Sequence, residues 1–274
     1  MTRTFVAIIA TLACCLGCAS PDAAVSPPPP GTGGASPTGS GGSAGGGGAG
    51  GAADAPPVNP LGRPRCTPPD GMSGTPQTIE DAVALLNALP KPTSVACFVE
   101  SLDRPLAAYA TNSTLSAQPA LSTDSPRVFL KVGRMWLSVV IDGPSSDLIE
   151  FGELLDDGLH SLKGELKLPL ADAVAPTLPF DRVVYNGTGS VCGFCHRDER
   201  LDHLEGASQI FSSAAFRPMP NSRVPLDHLR DQQQSCDWQA QPNRCDMLSA
   251  LFGGGAVDDQ EFPSAMATFL VSAL

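Results

Sequence analysis

The stretch RVFLKVGRMWLSVVID, residues 127–142, decides how this chain is read. In its second half Met135, Leu137, Val139 and Ile141 alternate with Trp136, Ser138 and Val140. A repeat of two places the first set on one face of a strand. Gly133-Arg134, between the halves, has the make-up of a hairpin turn. Outward from this hairpin the same texture continues. Short runs rich in Val, Leu, Ile and Phe are broken by Gly, Pro, Ser and Asp, which predicts strands at 94–100, 106–111, 148–154, 161–168 and 182–185. No helical pattern of ten or more residues separates them, so an antiparallel sandwich or curled sheet is expected rather than alternating β-α units. Asp156-Asp157 reads as a turn, since adjacent side chains on a strand point opposite ways.

Helices flank this region. Thr78-Ile-Glu-Asp81 has the form of a capping box, Ile79, Val83, Leu86 and Leu89 make one apolar stripe, and Pro90 ends it. Further on, 226–236 and 244–252 read as helices. The fold class expected is mainly β with some α, an antiparallel β-sandwich-like domain followed by a small irregular and helical segment. The domain lies at 63–186 and the segment at 187–274.

The front of the chain addresses location. Arg3 precedes a short apolar run, residues 5–13, far shorter than the ~20 residues of a membrane-spanning helix. A charged start, a short apolar core and a small-residue exit describe a secretory signal peptide, here 1–18. Leu16-Gly17-Cys18 resembles the end of a bacterial lipobox, in which the cysteine is acylated and becomes the new N-terminus, although Cys15 stands where leucine is usual. The resemblance implies a lipid anchor at Cys18 and an exported cell-envelope protein. An ordinary cleaved signal is the plainer reading. Residues 19–62 are almost wholly Pro, Gly, Ala, Ser and Thr, which cannot bury apolar surface and predict a disordered tether.

The formal net charge of −11 makes nucleic acid a poor partner. Of nine cysteines, three lie in the leader and six beyond it, an even number that favours disulfides in an exported protein. With Cys192 and Cys195 set aside, Cys236–Cys245 and Cys66–Cys97 are the expected pairs.

Chemistry concentrates in Cys192-Gly-Phe-Cys195-His196. Two thiols with two residues between them match the spacing of the haem vinyl groups, and the next histidine reaches the iron. On these residues the chain resembles the c-type cytochromes. The resemblance covers this motif and little else. It implies one covalent haem c held by Cys192 and Cys195, with His196 as proximal iron ligand and Met219, in Arg217-Pro-Met-Pro220, as second ligand. His203 and His228 are rival ligands, and Phe194, Phe211, Phe216, Leu229 and Trp238 are candidate pocket walls. The function implied is one-electron transfer to an unidentified redox partner protein at a membrane, a carrier rather than an enzyme. The stretch before the motif reads as a strand and a glycine turn, whereas small cytochromes place a helix there. Rival readings are a disulfide-stapled envelope lipoprotein without haem, acting as a protein-binding or structural module, a thiol redox site, and a zinc site.

Overall fold

The computed structural model describes residues 59–268. The leader, Cys18 and nearly all of the tether lie outside the described residues. In chain order the elements are α1 (Ile79–Ala88), α2 (Val95–Glu100), β1 (Leu106–Thr111), β2 (Arg127–Val132), β3 (Met135–Val140), β4 (Leu148–Leu154), β5 (His160–Lys167), α3 (Leu178–Val183), β6 (Val184–Tyr185) and β7 (Gly189–Ser190). They continue with β8 (Arg200–Glu205), β9 (Ser208–Ala214), β10 (Phe216–Arg217), β11 (Arg223–Val224), α4 (Leu226–Gln234), α5 (Pro242–Phe252), β12 (Val257–Asp259) and β13 (Ala267–Thr268).

The fold is mainly β with some helix, as the sequence predicts. A mixed nine-stranded sheet runs in the order β11-β1-β2-β3-β4-β5-β9-β8, and β12 pairs in parallel with β1. Strands from 187–274 therefore complete the sheet that 63–186 begins. The central hairpin forms as read, with Val132 opposite Met135 and Gly133 at φ +53°, a left-handed conformation that glycine adopts without a side-chain clash.

One face of this sheet is predominantly apolar. Leu106, Ala108, Val128, Leu130, Met135, Leu137, Val139, Ile149, Leu162 and Leu166 form a single core with residues of α1, α2 and α5. The layer over this face is thus helical, where a sandwich, one of the two arrangements expected, would place a second sheet. Thr78 caps α1 through the predicted box, accepting from Asp81 N while the Asp81 carboxylate accepts from Thr78 N. Glu153 of β4 also accepts from Ile79 N at 2.9 Å, tying the helix start to the sheet. α3 lies so close to β5 that a Cβ at Gly164 would stand 2.9 Å from Pro179 Cβ.

Two predicted strands are corrected. Residues 94–100 form α2, because the Ser94 side chain accepts from Cys97 N and starts a helix. Of 182–185, Arg182 and Val183 end α3, and only Val184 and Tyr185 are extended. The predicted helices at 226–236 and 244–252 are present as α4 and α5, with shifted ends. Asp156-Asp157 lies in a turn, where Asp157 accepts from Leu159 N and His160 N.

Both expected disulfides are present, Cys66–Cys97 and Cys236–Cys245. The first fastens the incoming chain to α2. Arg63 reinforces it with ion pairs to Glu100 and Asp246, each 2.6 Å. Among the described residues, no helix is long and apolar enough to cross a membrane.

Candidate ligand cavity

The second face of the sheet is also covered, by the chain that follows α3. Phe262 stacks on Trp136 with ring centroids 3.9 Å apart, and meets Tyr109 and Phe129 edge-on at 5.2 Å. Met266 and Ala215 join this smaller cluster. Beside it, sheet and cover do not close. They leave a cavity of about 200 Å³, open to solvent.

The floor comes from alternate residues of four strands: Arg127 and Phe129, Trp136 and Ser138, Glu150 and Gly152, Ser161, Lys163 and Glu165. These are the positions between the core residues, as a period of two requires. The roof includes Cys192, Cys195, His196, Phe216, Arg217 and Met219. Both thioether candidates, the proximal-histidine candidate and the predicted second ligand thus meet at one cavity. Sequence distance gave no sign that Met219 would lie there.

The CxxCH turn is held from its N-terminal side. Val191–Phe194 is a 3-10 turn capped by Ser190, whose Oγ accepts from Cys192 N at 3.1 Å. Ser190 N and Oγ in turn donate to the Glu199 carboxylate. His196 N donates to Cys192 O at 2.8 Å, so the imidazole follows directly from the turn. Nδ1 of His196 lies 2.7 Å from Ala214 O. A carbonyl only accepts, so Nδ1 carries the proton and Nε2 keeps a lone pair. Phe216 stacks on the same ring at 5.2 Å and 16°. His196 is half-buried. Burial, then the nearby Lys163 charge, holds its pKa well below the ordinary value, so the imidazole is neutral.

The polar floor is unusual for a protein interior. Arg127 donates to Ser138 Oγ at 2.5 Å and pairs with Glu150. Lys163 is buried and donates to Ser161 Oγ at 2.7 Å and Ala214 O at 3.4 Å. Loss of water lowers its pKa to about 8. Glu165 is pushed up to about 7 by burial and then by Glu150. The lining carries three cationic side chains, Arg127, Lys163 and Arg217, against two carboxylates. Among the described residues, no three His, Cys, Asp or Glu side chains converge to hold a bare metal ion.

Several predicted site residues sit elsewhere. His203 is exposed beside Asp202, and His228 bonds Asp124 at 2.8 Å, so neither reaches the cavity. Phe194 is 57% exposed and lies edge-on to Tyr185. Phe211 and Leu229 are buried away from the cavity, and Trp238 does not line it. Of the five predicted walls only Phe216 serves. The others share only apolar character with a pocket wall, which does not distinguish a site from a core. The sequence reading passed over Trp136, Lys163, Glu165, Glu199 and Arg217. A local signal existed for one contact alone: Ser190, two residues before Cys192, is a helix-capping type. No described family, curated protein or solved structure matches the chain.

Proposed function

We propose that this protein carries one covalent c-type haem and passes single electrons to a partner protein at the cell envelope. The observation that carries the reading is the convergence of Cys192, Cys195, His196 and Met219 on one cavity. The residues fit the group by donor chemistry. Cys192 and Cys195 have the two-residue spacing of the vinyl groups, Cys195 being disulfide-bonded in this structure and so needing reduction before attachment, and a neutral imidazole bonded through Nδ1 to Ala214 O offers Nε2. When bound, the haem supplies reversible one-electron iron chemistry. The chain contributes the rest. Ser190 and Glu199 hold the turn that presents the two cysteines. Ala214 and Phe216 fix the plane and tautomer of His196. Met219 brings a thioether to the same space. The cavity is smaller than the ~300–1,000 Å³ usual for ligand sites, so a macrocycle would fill it and extend through the mouth, keeping an edge toward a partner. A lipid anchor at Cys18 followed by a tether would keep such a carrier beside membrane partners.

A second reading, a non-haem, disulfide-stapled envelope lipoprotein that binds another protein, is supported by the Cys66–Cys97 and Cys236–Cys245 bridges, which stabilise a fold without any cofactor. The test is to express the full chain in a host with c-haem maturation machinery. A denaturing gel stained for haem peroxidase activity is run beside a Cys192→Ala/Cys195→Ala control. A stained band that disappears in the control supports the haem reading; an unstained band in both rejects it.

A further inference from the structure

Trp136 and Arg217 both line the cavity, and each has a buried donor without an acceptor among the described residues. Trp136 is 7% exposed, and the donors left over are its Nε1 and Nε of Arg217. Buried donors in native proteins are almost always satisfied, and an orphan in a cavity wall points to something the cavity holds. Both groups donate only, so the missing partner is an acceptor. Arg217 adds a positive charge. Arg127 is already committed to Glu150, whereas Arg217 meets no carboxylate among the described residues. The lining is cationic on balance inside a protein of net charge −11, so the field there favours an anion over the solvent-exposed surface. The wall between these donors is aromatic. Phe262 stacks on Trp136 and, with Arg217, also borders a smaller neighbouring hollow lined by Tyr109 and Arg223.

We infer that Trp136 and Arg217 form a seat for one carboxylate of the molecule that occupies this cavity. The occupant is a carboxylate with a flat or apolar body, since Phe129, Phe216, Phe262 and Met266 also line the cavity. That chemistry has two sources. One is a carboxylate side chain of the covalent haem proposed above, and to that extent the inference rests on that reading. The other is a free small carboxylic acid, which needs no haem.

The chain has two tryptophans, so Trp238→Phe leaves Trp136 as the only indole reporter. Full-length Trp238→Phe protein made without haem maturation is titrated with benzoate and with benzamide, its uncharged isostere. An apolar cavity of about 150 Å³ already takes benzene, so a site of about 200 Å³ is large enough for either probe. Benzoate should change Trp136 fluorescence saturably, and benzamide should bind at least about tenfold more weakly, the value of one charge-assisted hydrogen bond. Arg217→Gln should cost benzoate about the same factor, and Arg217→Lys should restore part of it. Equal binding of the two probes, or none of either, overturns the seat and leaves a cavity occupied by water. The benzoate–benzamide contrast stands on the unsubstituted Arg217 protein if a variant fails to fold. Repeating the titration on haem-loaded protein separates the sources, reading binding as protection of Arg217 from dicarbonyl labelling. Lost benzoate protection assigns the seat to the haem carboxylate, and retained protection assigns it to a free acid. A negative haem stain with benzoate binding intact would remove the proposed function and leave the seat standing.

Discussion

The two faces of one sheet carry different kinds of information, and β3 displays both within six residues. Met135, Leu137 and Val139 face the helical layer and are at most 1% exposed. Trp136 and Ser138 face the other way and are also buried, yet Trp136 Nε1 has no acceptor among the described residues and Ser138 lies in an Arg127–Gln118 network. The first face is held mainly by apolar contact, with Glu153 tying it to α1. The second buries charges such as Lys163 and Glu165, which cost stability in an empty fold. On the proposed haem reading, the cavity with its cysteines, histidine and methionine is the use that offsets this cost.

This contrast breaks first if the apolar face proves soft. Leu137→Ala should cost about 2–5 kcal/mol in denaturant unfolding, because a fully buried side chain leaves a cavity that the layer cannot refill. A cost below that of a surface substitution would show that the helical layer is not the structural core. Removing the Cys66–Cys97 bridge by a double alanine substitution should cost about 3–4 kcal/mol, the chain-entropy value for a loop spanning a sequence separation of 31. Unfolding measured with and without reductant checks it, since reductant should erase most of the difference.

The polar face should behave in the opposite sense. Lys163→Met should stabilise the haem-free protein by roughly 1–3 kcal/mol, since a buried ammonium with no carboxylate hydrogen bond is replaced by an apolar chain of similar length. The pH dependence sharpens this point. Lys163 titrates at about 8 in the fold and near the ordinary ~10.4 when unfolded. Between these values the unfolded chain binds the extra proton, so stability rises with pH there, and the rise should vanish in the variant. Glu165 has the reverse sign. Its folded pKa of about 7 lies above the unfolded value, so the folded state binds the extra proton and stability falls as pH climbs toward 7. Glu165→Gln should remove that fall. The smallest effect expected is for Thr78→Ala, about 1 kcal/mol from the lost cap of α1, visible as a small drop in the unfolding midpoint.

Much of the apolar face was legible in the sequence because its signal is local. The alternation in 135–141 and the Thr78 capping box are each contained within a few residues. The same locality explains the error at 94–100: Val95, Phe98 and Val99 suit a strand or a helix, and only the Ser94 cap tips the balance. The spacing of Cys192, Cys195 and His196 was legible as a motif. Its floor was not, because Lys163 and Glu165 alternate with Leu162 and Leu166 just as a solvent-facing side would. What covers them comes from β10, Phe262 and Met266, far along the chain. Long-range closure of this kind leaves no periodic trace.

The most direct measurement is the intact mass of the full-length protein purified from a c-haem-maturing host, followed by mapping of the proteolytic peptide that contains Val191 to Arg200. The account predicts the mass of one haem added, carried on that peptide and attached through both Cys192 and Cys195. A peptide of unmodified mass, with the polar face intact and folded, would contradict it.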